Sequence, residues 1–119
     1  MPQGKLVLAV STAVVLLFLV RRLMLLFRGG SSMEDLMSLK AAGAQIVDVR
    51  TEAEFAQGHV PGSRNIPLDQ FQARIGEIDP QVPVLLCCAS GARSGAAKAA
   101  LEQAGYSKAY NAGPWQRLQ

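Results

Sequence analysis

Two patterns of apolar positions run along this chain, and they predict different surroundings. From Leu6 to Val20 apolar and small residues follow one another with only Ser11 and Thr12 between them, and after Arg21-Arg22 the run resumes as Leu23-Met24-Leu25-Leu26-Phe27. As a helix, the first run spans roughly 22 Å and Lys5 to Phe27 about 34 Å, against a bilayer core of about 30 Å. Only the longer stretch crosses, so the pattern predicts one transmembrane helix over residues 5–27, with residues 1–4 as a short tail. Arg21 and Arg22 then snorkel to the lipid headgroups. No small-x-small cleavage site closes the apolar run, and the arginines follow it, which favours a retained anchor over a signal peptide.

Beyond a Gly/Ser linker over residues 28–32, short apolar blocks alternate with helical ones. Ser32 and Asp35 form a capping box for a helix running to Ala42 and ended by Gly43. The pattern then predicts a strand from Gln45 to Val49, a short helix from Glu52 to Gln57, a short strand from Arg64 to Ile66 and a helix from Leu68 to Ile75. Pro83 to Cys87 reads as the buried central strand, Arg93 to Gln103 as an Ala-rich helix and Lys108 to Asn111 as the last strand. This alternation implies an α/β fold: a parallel sheet flanked by helices, with ligands at the carboxyl ends of the strands. After Pro114 there is room for one turn, with Trp115 as a lid over the sheet. The segment 33–119, about 87 residues, is enough for one modest core and not for two domains.

Charge adds an orientation. Lys and Arg total 12 against 9 Asp and Glu, a formal +3. Arg21, Arg22 and Arg28 outweigh Lys5 across the apolar run, so the positive-inside rule places the N-terminus outside and the C-terminal domain in the cytoplasm. The excess speaks to membrane lipid and not to nucleic acid, since no base-stacking aromatic motif accompanies it. Small residues at Ala9 and Ala13 leave room for a partner helix in the bilayer. The two cysteines are adjacent, which excludes a disulfide framework and fits a reducing compartment. With a single His, the chain lacks the spaced ligands of a tetrahedral metal site, and no cofactor is expected.

The candidate chemistry lies in Cys88-Ala89-Ser90-Gly91-Ala92-Arg93-Ser94, between a strand end and a helix start. Small residues let the backbone curl round the sulfur, so that amide N–H groups and the helix N-terminus point at one anion. A free thiol has a pKa of about 8.5, and these dipoles with the Arg93 guanidinium favour the thiolate. Two frames compete: C-x4-R from Cys88, and C-x5-R-S from Cys87, which matches the cysteine phosphatase signature. Alternation along the strand sends the two side chains to opposite faces, and the residue opening into the loop is Cys88. Cys87 is expected in the core as a small hydrophobe. Asp48 and Arg50, at another strand end, are expected as an ion pair or loop anchor. His59, between Gly58 and a Val-Pro-Gly turn, reads as a turn residue rather than a base, which leaves no papain-like Cys-His arrangement.

Three blocks then carry a resemblance: Ile46-Val47-Asp48-Val49-Arg50, Gly58-His59-Val60-Pro61-Gly62-Ser63-Arg64-Asn65-Ile66-Pro67-Leu68, and Cys88 to Ser94. In this order they resemble the single-domain rhodaneses, a sulfurtransferase family, from about Ser32 onward. The chain departs from the family at Cys87, where an aromatic or aliphatic residue is commoner, and at Pro114, where a second glycine is frequent. The resemblance implies a rhodanese-like sheet and a Cys88 persulfide formed from a small anionic sulfur donor and discharged to a thiol or cyanide-like acceptor. It further implies that Ala89, Ser90, Gly91, Ala92, Arg93 and Ser94 bind the substrate, with Asp48, Arg50 and His59 in structural support. Sulfite leaves thiosulfate without needing a proton, so a thiolate and an anion-binding loop suffice. Phosphate or arsenate chemistry through Cys87 and a non-catalytic sulfur-carrier or binding module remain the alternatives.

Overall fold

The computed structural model describes residues 12–23 and 31–119. The chain divides into two units, Met1–Gly30 and Ser31–Gln119. In the first, residues 12–23 are helical (α1) and exposed throughout. No helix among the described residues is long and apolar enough to cross a membrane. Positions 5–11 and 24–27 of the expected span, with the tail and most of the linker, lie outside the described residues.

The second unit begins with α2 (Met33–Ala41), held at its N-terminus by the reciprocal Ser32–Asp35 capping box, with Ser32 Oγ accepting Asp35 N–H at 3.1 Å. Then follow β1 (Gln45–Asp48), α3 (Glu52–Ala56), β2 (Arg64–Asn65), α4 (Leu68–Arg74), β3 (Val84–Cys88), α5 (Ala92–Gln103) and β4 (Ala109–Pro114). A 3-10 turn, Ile75–Glu77, extends α4, and another, Trp115–Leu118, closes the chain. The strands form one sheet in the order β2-β1-β3-β4, every pair parallel. This is an α/β fold, a parallel sheet flanked by helices.

Burial on both faces explains why β3 reads as an unbroken apolar run. Val84, Leu86 and Cys88 pack with Phe71 of α4 and Ala97 and Leu101 of α5. Leu85 and Cys87 point the other way, with Leu36 of α2, Ile46 of β1 and Leu118 of the closing turn. The period-2 alternation of a strand thus divides two neighbouring cysteines between two cores.

Most element ends fall within a residue of the sequence expectation, and two differences bear on the site. β3 runs one residue further, so that Cys88 is still paired, with Pro114. β4 runs on to Pro114 because a register shift between Leu86 and Cys87 lets the ladder resume at Gly113 after Asn111. Such a shift puts an extra residue into one strand and kinks it, a feature that β-propensity along the sequence does not reveal.

Candidate active site

Cys88 is the last residue of the central strand, and the chain turns at once over Ala89, Ser90 and Gly91 into α5. Gly91 is the N-cap, in the left-handed region at φ 104°, and a Cβ there would lie 3.3 Å from the Gly113 Cα. Only glycine meets both demands without strain. The turn it makes brings its own N–H to 2.9 Å from Cys88 Sγ, and the Ser94 hydroxyl, one helical turn on, lies 3.3 Å from the same sulfur. Ala89, Ser90 and Ala92 are exposed around this ring of donors, and the Ala92 amide donates to Ser90 Oγ at 3.5 Å.

Burial alone would push the Cys88 thiol up, and it is the largest single influence. The Ser94 hydroxyl and the amides of Ser94, Gly91 and Ser90 together outweigh it, and the thiol sits below its ordinary value. Cys87 has no such donors: burial first, then the neighbouring Asp48 charge, push its thiol up to about 12. Both thiols are free.

Arg93 does not face the sulfur as a free cation. Its Nη1 and Nη2 donate to Glu54 Oε1 and Oε2 at 2.7 and 3.0 Å, a bidentate pair joining α5 to α3. The Cys88 thiol is lowered chiefly by hydroxyl and amide donors. Cys88 and Arg93 also interact through charge, more weakly than Arg93 does with the Glu54 carboxylate that takes both arms of its fork.

Asp48 and Arg50 form a buried ion pair of 2.7 Å. Arg50 then reaches out of the pair, donating to Gly58 O at 2.7 Å and Glu54 O at 3.3 Å, with its guanidinium 4.6 Å from the centre of the Trp115 ring. Trp115 therefore covers Arg50 as well as the sheet. His59 is exposed, stacked on Phe55 at 3.7 Å, with Nδ1 2.8 Å from Phe55 O. These contacts fix the loop after α3. A groove of about 380 Å³, lined by Val49, Thr51, Pro67, Leu68, Asp69 and Arg93, opens alongside.

Two residues of this arrangement do not stand out in the sequence. Glu54 shows itself there only as the fourth residue of a Thr51 capping box, the role it also fills, accepting Thr51 N–H at 3.2 Å. Asn111 is a lone polar residue in β4 whose side chain accepts the Ser94 hydroxyl at 2.7 Å and donates to Gly91 O at 3.0 Å. A polar side chain closing the expected last strand, Lys108 to Asn111, was the available signal.

A thiol ringed by amide donors at the carboxyl end of a central parallel strand defines a class of sulfur-nucleophile sites on an α/β sheet. The rhodanese-like domain model matches residues 32–113, and the chain belongs to that family. It is 46% identical over 68 residues to the Bacillus subtilis protein YqhL, covering 57% of this chain and 54% of that one. It is 36% identical over 78 residues to the thiosulfate sulfurtransferase GlpE of Pseudomonas aeruginosa, covering 66% and 71%. The human single-domain sulfurtransferase TSTD1 superposes with a TM-score of 0.63 at 28% identity, covering 74% of this chain and 92% of that one. The chain thus spans about half the length of the B. subtilis relative.

Proposed function

We propose that this chain is a membrane-anchored sulfurtransferase working through a Cys88 persulfide. The thiolate attacks the sulfane sulfur of a small anionic donor such as thiosulfate. A bond forms from Sγ to that sulfur, the S–S bond of the donor breaks, and its electron pair leaves on sulfite. The acceptor, a thiolate or cyanide, then attacks the outer sulfur, and Cys88 leaves as the thiolate it began as. No proton changes hands in either half, which suits a site whose one histidine is engaged elsewhere. The observation that carries this reading is the polar setting of Cys88 Sγ, with the Gly91 N–H donating at 2.9 Å and the Ser94 hydroxyl lying at 3.3 Å. The names of the relatives, thiosulfate sulfurtransferase and single-domain sulfurtransferase, agree with it.

The Cys87 frame is disfavoured by its chemistry: a thiol at about 12 is protonated at neutral pH, and the side chain packs in the opposite core. A sulfur-carrier role has one observation on its side, since Cys88 exposes no surface and a loaded sulfur is thereby shielded from bulk solvent. One experiment separates these readings. The protein is incubated with thiosulfate, Cys88 is weighed by peptide mass spectrometry, and thiocyanate is counted after adding cyanide. Cys88→Ala is expected to abolish both sulfur loading and thiocyanate, and Cys87→Ala to keep both. Loading without repeated turnover selects the carrier, and full activity in Cys88→Ala ends the proposal.

The anchor belongs to the same proposal. It rests on the apolar run over residues 5–27 and on the exposure of the apolar side chains from Val14 to Val20. The arginines after that run support a cytoplasmic side for the catalytic unit under the positive-inside rule.

A further inference from the structure

The Ser94 hydroxyl has one proton and two acceptors within reach. Its oxygen lies 3.3 Å from Cys88 Sγ and 2.7 Å from Asn111 Oδ1. The Asn111 amide is held in one orientation: Nδ2 donates to Gly91 O at 3.0 Å, and Oδ1 accepts Gly113 N–H at 3.0 Å. It is therefore the amide oxygen, which only accepts, that faces Ser94. While the hydroxyl proton is given to Asn111, Cys88 can interact with Ser94 only by donating S–H to its oxygen, an arrangement that suits the neutral thiol. A thiolate only accepts, so on ionisation the hydroxyl must turn away from Asn111 and toward the sulfur.

We propose that Asn111 is a positioning residue that competes with the Cys88 sulfur for the Ser94 proton and so sets the pH at which the nucleophile forms. On ionisation the S–H bond breaks, its proton passes to solvent, and the Ser94 O–H rotates from Oδ1 to Sγ with no other bond changed. Once an outer sulfur is attached, Sγ carries no charge and the hydroxyl returns to Asn111. The use of this device rests on the sulfur-transfer reading; its geometry does not. The charged and titratable groups nearby are Cys87 on β3, the Asp48–Arg50 pair at the end of β1, the Glu54–Arg93 pair between α3 and α5, and Asp69 on α4. All are common to the variants below, so they cancel in the comparison.

The test is the pH dependence of Cys88 alkylation by iodoacetamide in the full chain without any sulfur donor, with the modified cysteine assigned by peptide mass spectrometry. Ser94→Ala removes the only side-chain donor to Sγ among the described residues and is expected to raise the midpoint by about one pH unit, a tenfold loss of thiolate. Asn111→Ala removes the competitor and is expected to lower the midpoint severalfold in thiolate fraction. Asn111→Asp keeps an acceptor, adds a negative charge and is expected to raise it. Both Asn111 variants lose the bond to Gly91 O, so mere loosening of the loop would move them in the same direction. In the Ser94→Ala background the Asn111→Ala shift is expected to vanish. Shifts of one sign in both Asn111 variants, or an Asn111→Ala shift that survives without Ser94, would overturn the proposal. Sulfur loading from thiosulfate is scored separately, so a protein that shows the opposed shifts but takes no sulfur refutes the enzymatic reading and leaves this one standing.

Discussion

Cys87 and Cys88 have the same side chain and neither exposes surface, yet their thiols are driven in opposite directions. Burial raises both, Cys87 being the more deeply packed, and donors separate them further. Around Cys88 a hydroxyl and three backbone amides outweigh desolvation; around Cys87 a nearby carboxylate adds to it. That carboxylate, Asp48, has its own tie, since it accepts Arg50 N at 3.0 Å and Arg50 Nη2 at 2.7 Å and is fully buried. Removing one partner of a buried pair strands the other charge, at a cost of about 3–5 kcal/mol. Asp48→Ala is accordingly expected to lose about that much stability in urea unfolding, and a change below about 1 kcal/mol would mean that solvent relieves Arg50. The opposed facing of the two thiols was legible from strand alternation. The roles of Asn111 and Glu54 were not, because each depends on a contact made 17 or 39 residues away, which no local pattern encodes.

The first turn of helix α5 is held by two other elements through three contacts. Gly91 sits against Gly113 of β4, Asn111 of β4 ties back to Gly91 O, and Glu54 of α3 clamps Arg93. The α3–α5 clamp has a pH signature. The Arg93 guanidinium first, then the Thr51 amide, lower the Glu54 carboxyl from 4.5 to about 2. A depressed carboxyl contributes stability in full above its unfolded value and loses it as pH falls through the folded one. Glu54→Gln retains an acceptor for the Thr51 cap but removes the charge and one of the two acceptors that the Arg93 fork uses. The wild type is therefore expected to exceed Glu54→Gln in urea midpoint at neutral pH, with the gap closing between pH 4.5 and about 2. Because both side chains are about one-third exposed, at 35% and 37%, added salt is expected to narrow the gap as well. A gap that persists at pH 2 would assign the effect to packing. Helix and strand order at this scale followed from periodicity and caps, as the Ser32–Asp35 box shows. The length of β4 did not, since a ladder shift arises from two strands meeting and not from either alone.

In the whole molecule, the unit Ser31–Gln119 holds both faces of the sheet covered, from Phe71 and Leu101 on one side to Leu36 and Leu118 on the other. Among the described residues of the first unit, apolar side chains from Val14 to Val20 are exposed, with Arg21 and Arg22 directly after them. A contiguous apolar surface of that kind marks contact with lipid or protein, and an arginine flank suits an anionic headgroup layer. On the proposed reading the two units divide location from chemistry. The full chain is expected to float with phosphatidylcholine vesicles and to resist alkaline carbonate extraction, whereas residues 31–119 alone are expected to stay in the aqueous phase. Both are expected to load one sulfur on Cys88 to the same extent. Because an inserted helix is held by apolar transfer, added salt is expected to leave flotation of the full chain intact. Release by salt or carbonate would replace the spanning helix with a surface-bound one, and loss of sulfur loading in the fragment would show that the first unit shapes the site after all.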